Sequence, residues 1–167
     1  MDIVDAQVHA NMLGTEITLA IMDALGIRAV LFDEFDEPAE DGRLLPGYRL
    51  ANGAFRNVGP NAEAAAIHHP DRFAFLMRVD PTDPGIESWV ETLTAAPGFK
   101  ALRTTVFTPA EGAVFEEGGH DRFLKTARAH GLPATLSVGI STSARSSSQG
   151  MATSIILRPK SARIHCV

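Results

Sequence analysis

Four short apolar runs, each separated from the next by a stretch that contains a helical pattern, constrain this chain more than any other feature. They are IRAVLF at 27–32, FAFLMRV at 73–79, KALRTTVF at 100–107 and ATLSV at 134–138, and a weaker one spans Ile3 to Val8. Continuous apolar runs of this length suit strands that are covered on both faces. The intervening helices have recognisable starts and stops. Thr15 can cap a helix carrying Ile17, Ala20, Ile21, Ala24 and Leu25 at helical spacing, closed by Gly26. Asn61 opens an alanine-rich helix that runs to about His69 and ends at Pro70. Asp83 followed by Pro84 reads as a cap with proline at the first helical position, ahead of a stripe of Ile86, Trp89, Val90 and Leu93. Asp121 begins a further helix with Phe123, Leu124 and Ala127 inward. Alternation of strand and helix predicts an α/β fold with a parallel sheet and right-handed crossovers. Two architectures satisfy it: an open doubly wound sheet, or part of a (β/α)8 barrel. Both place ligands beyond the carboxyl ends of the strands.

Two stretches interrupt the pattern. Residues 33–60 are rich in acid, Gly and Pro and read as a long loop or insertion at a strand's carboxyl end. Residues 141–167 contain no Asp or Glu, open on a Ser-rich segment and carry the single cysteine, Cys166. They read as a discordant, poorly ordered tail after a unit spanning 1–140. The 167 residues suffice for one domain with a core. A formal charge of -5 disfavours a nucleic-acid binder. One cysteine cannot form an internal disulfide. The sequence shows neither a signal-peptide pattern nor an apolar run long enough to span a membrane, so a cytoplasmic protein without membrane partners is expected.

The polar residues at the predicted carboxyl edge are the candidate site. Gln7 and His9 lie two apart on the first strand and so share a face. His9 is a catalytic candidate or a histidine satisfied by a carbonyl at the sheet's mouth. Arg103 interrupts an apolar run, on the face of Ala101 and Thr105, and a buried guanidinium needs an anionic partner. That partner is a substrate carboxylate, gripped by two parallel hydrogen bonds, or else Asp80 or Asp33. Asp33 ends the second strand, as a site residue or as a solvated loop residue. Asp80, before Pro81, reads as a turn residue. His68 and His69 face different sides of a helix end and form no chelate, and His120 and His130 read as cap-region residues.

The segments IVDAQVH, MDALGIRAVLF, HHPDRFAFLMRVDP, GFKALRTTVF and ARAHGLPATLSVG, in this order, resemble the first five βα units of the amidohydrolase-related (amidohydrolase family 2) enzymes, over roughly residues 2–140. The resemblance implies a partial TIM barrel of about five βα units. It also implies hydrolysis of a small carboxylated amide, ester or lactone, with His9 polarising the reacting group and Gln7, Arg103 and Asp33 binding substrate. The family's divalent, zinc-like metal is not assigned here. Gln7 stands where the first ligand histidine would, and Ser137 where a fifth-strand histidine would. A complete barrel takes about 250 residues, so the alternatives are a truncated or frame-shifted non-catalytic fragment and a small open α/β binding protein. A fragment would leave the fifth strand's edge open to self-association. Pairing of Thr153 to Leu157 as a sixth strand would favour the small open sheet.

Overall fold

The computed structural model describes residues 3–9, 14–34, 47–139 and 152–157. Five strands run parallel in a curled, half-barrel sheet, and the order is that of the chain: β1 (Ile3–His9), β2 (Ile27–Asp33), β5 (Phe73–Arg78), β6 (Phe99–Val106) and β7 (Ala134–Gly139). The helices among the described residues are α1 (Thr15–Leu25), α2 (Pro60–His68), α3 (Ile86–Thr94), α4 (Pro109–Glu116) and α5 (Asp121–Ala129). None of them is long and apolar enough to cross a membrane. The α/β class and the parallel sheet therefore hold.

The core lies between one sheet face and the helices. Val30 and Phe32 of β2, Phe73, Phe75 and Met77 of β5, and Leu102 of β6 pack with Met22, Ala62, Ala66, Ile86, Val90 and Phe123. Because side chains alternate along a strand, the residues between these positions face the opposite, concave side. That face receives Asp33, Arg78 and Arg103. Helix α1 ends as its sequence dictates, on Gly26 in the left-handed conformation at φ 69°. Gly98 is needed for two reasons. Its φ is +81°, and a Cβ there would lie 2.4 Å from the Cβ of Ala66 in α2.

Several local readings change. Asn61 does not cap α2. The helix starts at Pro60 after Gly59, and its first N–H groups are met by Glu34, 27 residues earlier in the chain. Glu34 is buried, and its carboxylate accepts from the Asn61 N–H and Nδ2 at 3.0 and 2.8 Å and from the Ala62 N–H at 2.9 Å. Helix α3 begins at Ile86, and Asp83 instead closes the preceding turn by accepting from the Gly85 N–H at 2.7 Å. Helix α4 was not foreseen at all, although Thr108-Pro-Ala-Glu111 is a capping box with proline at N1.

The stretch read as a loop at 33–60 contains an antiparallel hairpin, β3 (Gly47–Arg49) with β4 (Phe55–Asn57); residues 35–46 lie outside the described residues. The hairpin is held to the body by carboxylates. Asp80 accepts from the Phe55 N–H at 2.8 Å, and buried Asp83 takes both Nε and Nη2 of Arg56 at 2.8 Å each. The Arg56 guanidinium lies 5.2 Å from the centre of the Trp89 ring. The stretch read as a foreign tail contributes β8 (Ala152–Leu157), which pairs antiparallel with β7 from Ala134↔Leu157 to Gly139↔Ala152. The edge of the fifth parallel strand, expected to be open, is therefore covered. The rest of the tail, Cys166 included, lies outside the described residues.

Since Glu34 supplies the N-terminal hydrogen bonds of α2, Glu34→Ala is expected to destabilise the fold by about 1–3 kcal/mol. Denaturant unfolding, read as a lowered midpoint with an unchanged slope, measures it.

Candidate functional site

Each of the five parallel strands sends one polar side chain to a single cluster at the carboxyl end of the concave face: His9, Asp33, Arg78, Arg103 and Ser137. The register explains the meeting. His9 pairs with Asp33 across β1 and β2, and Arg78 pairs with Arg103 across β5 and β6. Asp33 lies opposite Leu76, two residues short of Arg78, and Ser137 lies opposite Thr105, two beyond Arg103. Long guanidinium side chains span these offsets.

Asp33 is the centre. It is 0% exposed, so it is not the solvated loop residue of the alternative reading. Arg78 donates to it through Nε at 3.1 Å and Nη2 at 2.9 Å, a two-pronged grip. Arg103, also buried, donates from Nη1 to Asp33 Oδ2 and from Nη2 to the Ser137 hydroxyl. Of the partners open to Arg103 from sequence, the structure selects Asp33 and not Asp80. Asp80 instead closes the turn after β5, accepting from the Thr82 N–H at 2.9 Å and from its hydroxyl at 2.6 Å. The Nε of Arg103 has no hydrogen-bond partner among the described residues.

His9 stands beside the pair. Its Nδ1 lies 3.3 Å from the Asp33 carbonyl oxygen and 3.7 Å from Oδ2, and its side chain is 30% exposed. Burial, then the charges of Arg103 and Arg78, lower its pKa from the ordinary histidine value, so the ring is neutral at neutral pH. The side chain of Gln7 lies outside the described residues. The cluster thus holds three of the four residues singled out from sequence. It adds Arg78 and Ser137, which were not. Arg78 carried the same signal as Arg103, a lone cation in an apolar run. Ser137 had been considered only as the occupant of a histidine's place.

With His9 neutral, the two guanidinium groups and one carboxylate sum, among the described residues, to a formal charge of +1. Such a group attracts an anion. It does not fit a divalent metal: among the described residues no three His, Cys, Asp or Glu side chains come together as a ligand set, and a cation beside His9 would face both arginines. No family model, curated protein or solved structure matches the chain.

Two outcomes follow from this arrangement. Asp33→Asn removes the carboxylate shared by buried Arg103 and part-buried Arg78, and a loss of about 3–5 kcal/mol in unfolding free energy is expected. The pH dependence has a definite sign. His9 and, through burial, His120 both titrate below 6.5 in the folded chain. The unfolded chain therefore binds more protons as the pH falls through 6.5, and stability is lost toward acid. Thermal unfolding from neutral pH to about 5 is expected to show a falling Tm, with a shallower slope in the double variant His9→Gln, His120→Asn.

Proposed function

We propose that the chain is an amidohydrolase-related protein, its five parallel strands corresponding to the first five staves of a (β/α)8-type barrel. It hydrolyses a small carboxylated amide, ester or lactone at the carboxyl edge of the concave face. The observation that carries this reading is the convergence of two arginines on Asp33 at the carboxyl edge, with a neutral, part-exposed imidazole beside them. The field of two guanidinium groups around one carboxylate favours a substrate carboxylate at this edge.

The geometry supports the following roles. Arg103 and Arg78 provide the field that holds the substrate carboxylate, with Arg103 steadied by Ser137. Asp33 fixes both guanidinium groups and contributes its carbonyl to the placement of the His9 ring. His9, neutral at the working pH, takes the proton from an attacking water as general base and returns it to the leaving group. The neutral state of His9, which rests on its burial beside two cations, leaves the ring free to take that proton.

The pairing of β8 with β7 favours a second reading. An antiparallel strand covering the fifth parallel strand suits a self-contained open sheet, in which the same cluster binds a small carboxylate without turning it over.

The experiment is an assay of small esters, lactones and amides, each with and without a carboxylate, on the full chain and on His9→Gln and Arg103→Lys. Hydrolysis restricted to carboxylated substrates is expected. It should fall by about a hundredfold or more in His9→Gln, and the preference for a carboxylate should fade in Arg103→Lys. Carboxylate binding without turnover assigns the second reading. Neither binding nor turnover sinks both.

A further inference from the structure

A cleft of about 640 Å³ opens between the β3–β4 hairpin, the carboxyl ends of β5 and β6, and helix α4. Its size is that of a small-molecule site. Phe55, Val79, Pro81 and Phe107 give it apolar walls. His120 also lines it, is only 5% exposed, and has an Nδ1 with no hydrogen-bond partner among the described residues. Buried polar atoms are nearly always satisfied, so an orphaned nitrogen in the wall of a cavity marks the place of a ligand atom.

The charges in this wall differ from those of the concave-face cluster. Asp80 and Glu111 both line the cleft, and both act electrostatically on His120. Each is held rigidly. Asp80 is fixed by the Phe55 and Thr82 N–H groups, and Glu111 by the Phe107 and Thr108 N–H groups at 2.7 and 2.9 Å. Among the described lining residues Arg78 is the one cation, and it is paired with Asp33. The two carboxylates therefore leave the wall negative, so a cation is favoured and an anion is repelled. Phenyl rings at Phe55 and Phe107 favour an apolar body and tolerate a cation against their faces.

We propose that this cleft binds a small organic amine, an apolar or aromatic body carrying one ammonium group whose N–H donates to Nδ1 of His120 and whose charge is matched by Glu111 and Asp80. The cleft shares Arg78 with the concave-face cluster, but its ligand contacts lie at His120, Glu111 and Asp80, so the proposal does not rest on the hydrolytic reading.

The test is a titration of the isotope-labelled full chain, followed by amide chemical shifts, with phenethylamine, phenethyl alcohol and hydrocinnamate. These probes share a phenyl body and differ in charge. The amine is expected to shift the Phe55, Thr82 and Phe107 amides, the alcohol to do so more weakly, and the carboxylate not at all. Glu111→Gln keeps the capping box of α4 while removing the charge. It should weaken the amine by about three- to fivefold and leave the alcohol unchanged. His120→Leu should weaken the amine by up to about tenfold, and His120→Asn, well suited to the N-cap of α5, should restore it in part. Equal binding of all three probes, no shift of these amides at millimolar amine, or an amine affinity indifferent to Glu111→Gln would each overturn the proposal.

Discussion

One carboxylate shared by two arginines organises this molecule. Asp33 is fully buried and meets Arg78 and Arg103 from two neighbouring strands, with His9 beside it on a third and Ser137 engaged through Arg103 on a fourth. Removing charged groups from water costs several kcal/mol apiece. The cost is offset because Asp33 accepts from both guanidinium groups and Arg103 also reaches the Ser137 hydroxyl. The cluster therefore constrains the curl of the sheet, since five strands must bring their carboxyl ends within the reach of these side chains.

The acidic residues outside the cluster serve a different end. Glu34, Asp80, Asp83 and Glu111 all accept from backbone N–H groups at turns or helix starts. They hold the hairpin and two of the helices against the carboxyl edge, where irregular backbone would otherwise leave donors unmet. This division of labour makes the edge a rim around two chemically distinct places, one built on two arginines about Asp33 and one lined by Asp80 and Glu111, sharing Arg78 between them.

Much of the fold was legible because strand and helix patterning is local. The apolar runs gave all five parallel strands, and Gly26 and Asp121 gave helix limits within a residue. The helix starts at Asn61 and Asp83 were misread for a physical reason. The group that caps α2 is Glu34, far away in sequence, and no local pattern reports a partner supplied by another element. Helix α4 was legible in TPAE and simply outweighed by its few apolar residues. For the site, alternation put Arg103 and His9 on inner faces, but the choice of Asp33 over Asp80 as partner depended on register between strands, which composition does not encode. The hairpin at 47–57 was obscured because its stability comes from pairing and from Asp80 and Asp83, not from its own hydrophobic pattern; the strand at 152–157 was open as one alternative from sequence, and only its pairing with β7 decides it.

Adjacent placement of Asp33 and Glu34 has a mechanical consequence for β2. The two carboxylates point to opposite sides of the sheet, one to the arginines and the other to the first turn of α2. Shifting the strand by a single residue would present Phe32 or Glu34 to the guanidinium groups and uncap the helix in the same step. The strand is thus keyed like a bolt with two unlike teeth, so that a one-residue insertion or deletion between Ile27 and Glu34 cannot be absorbed by sliding.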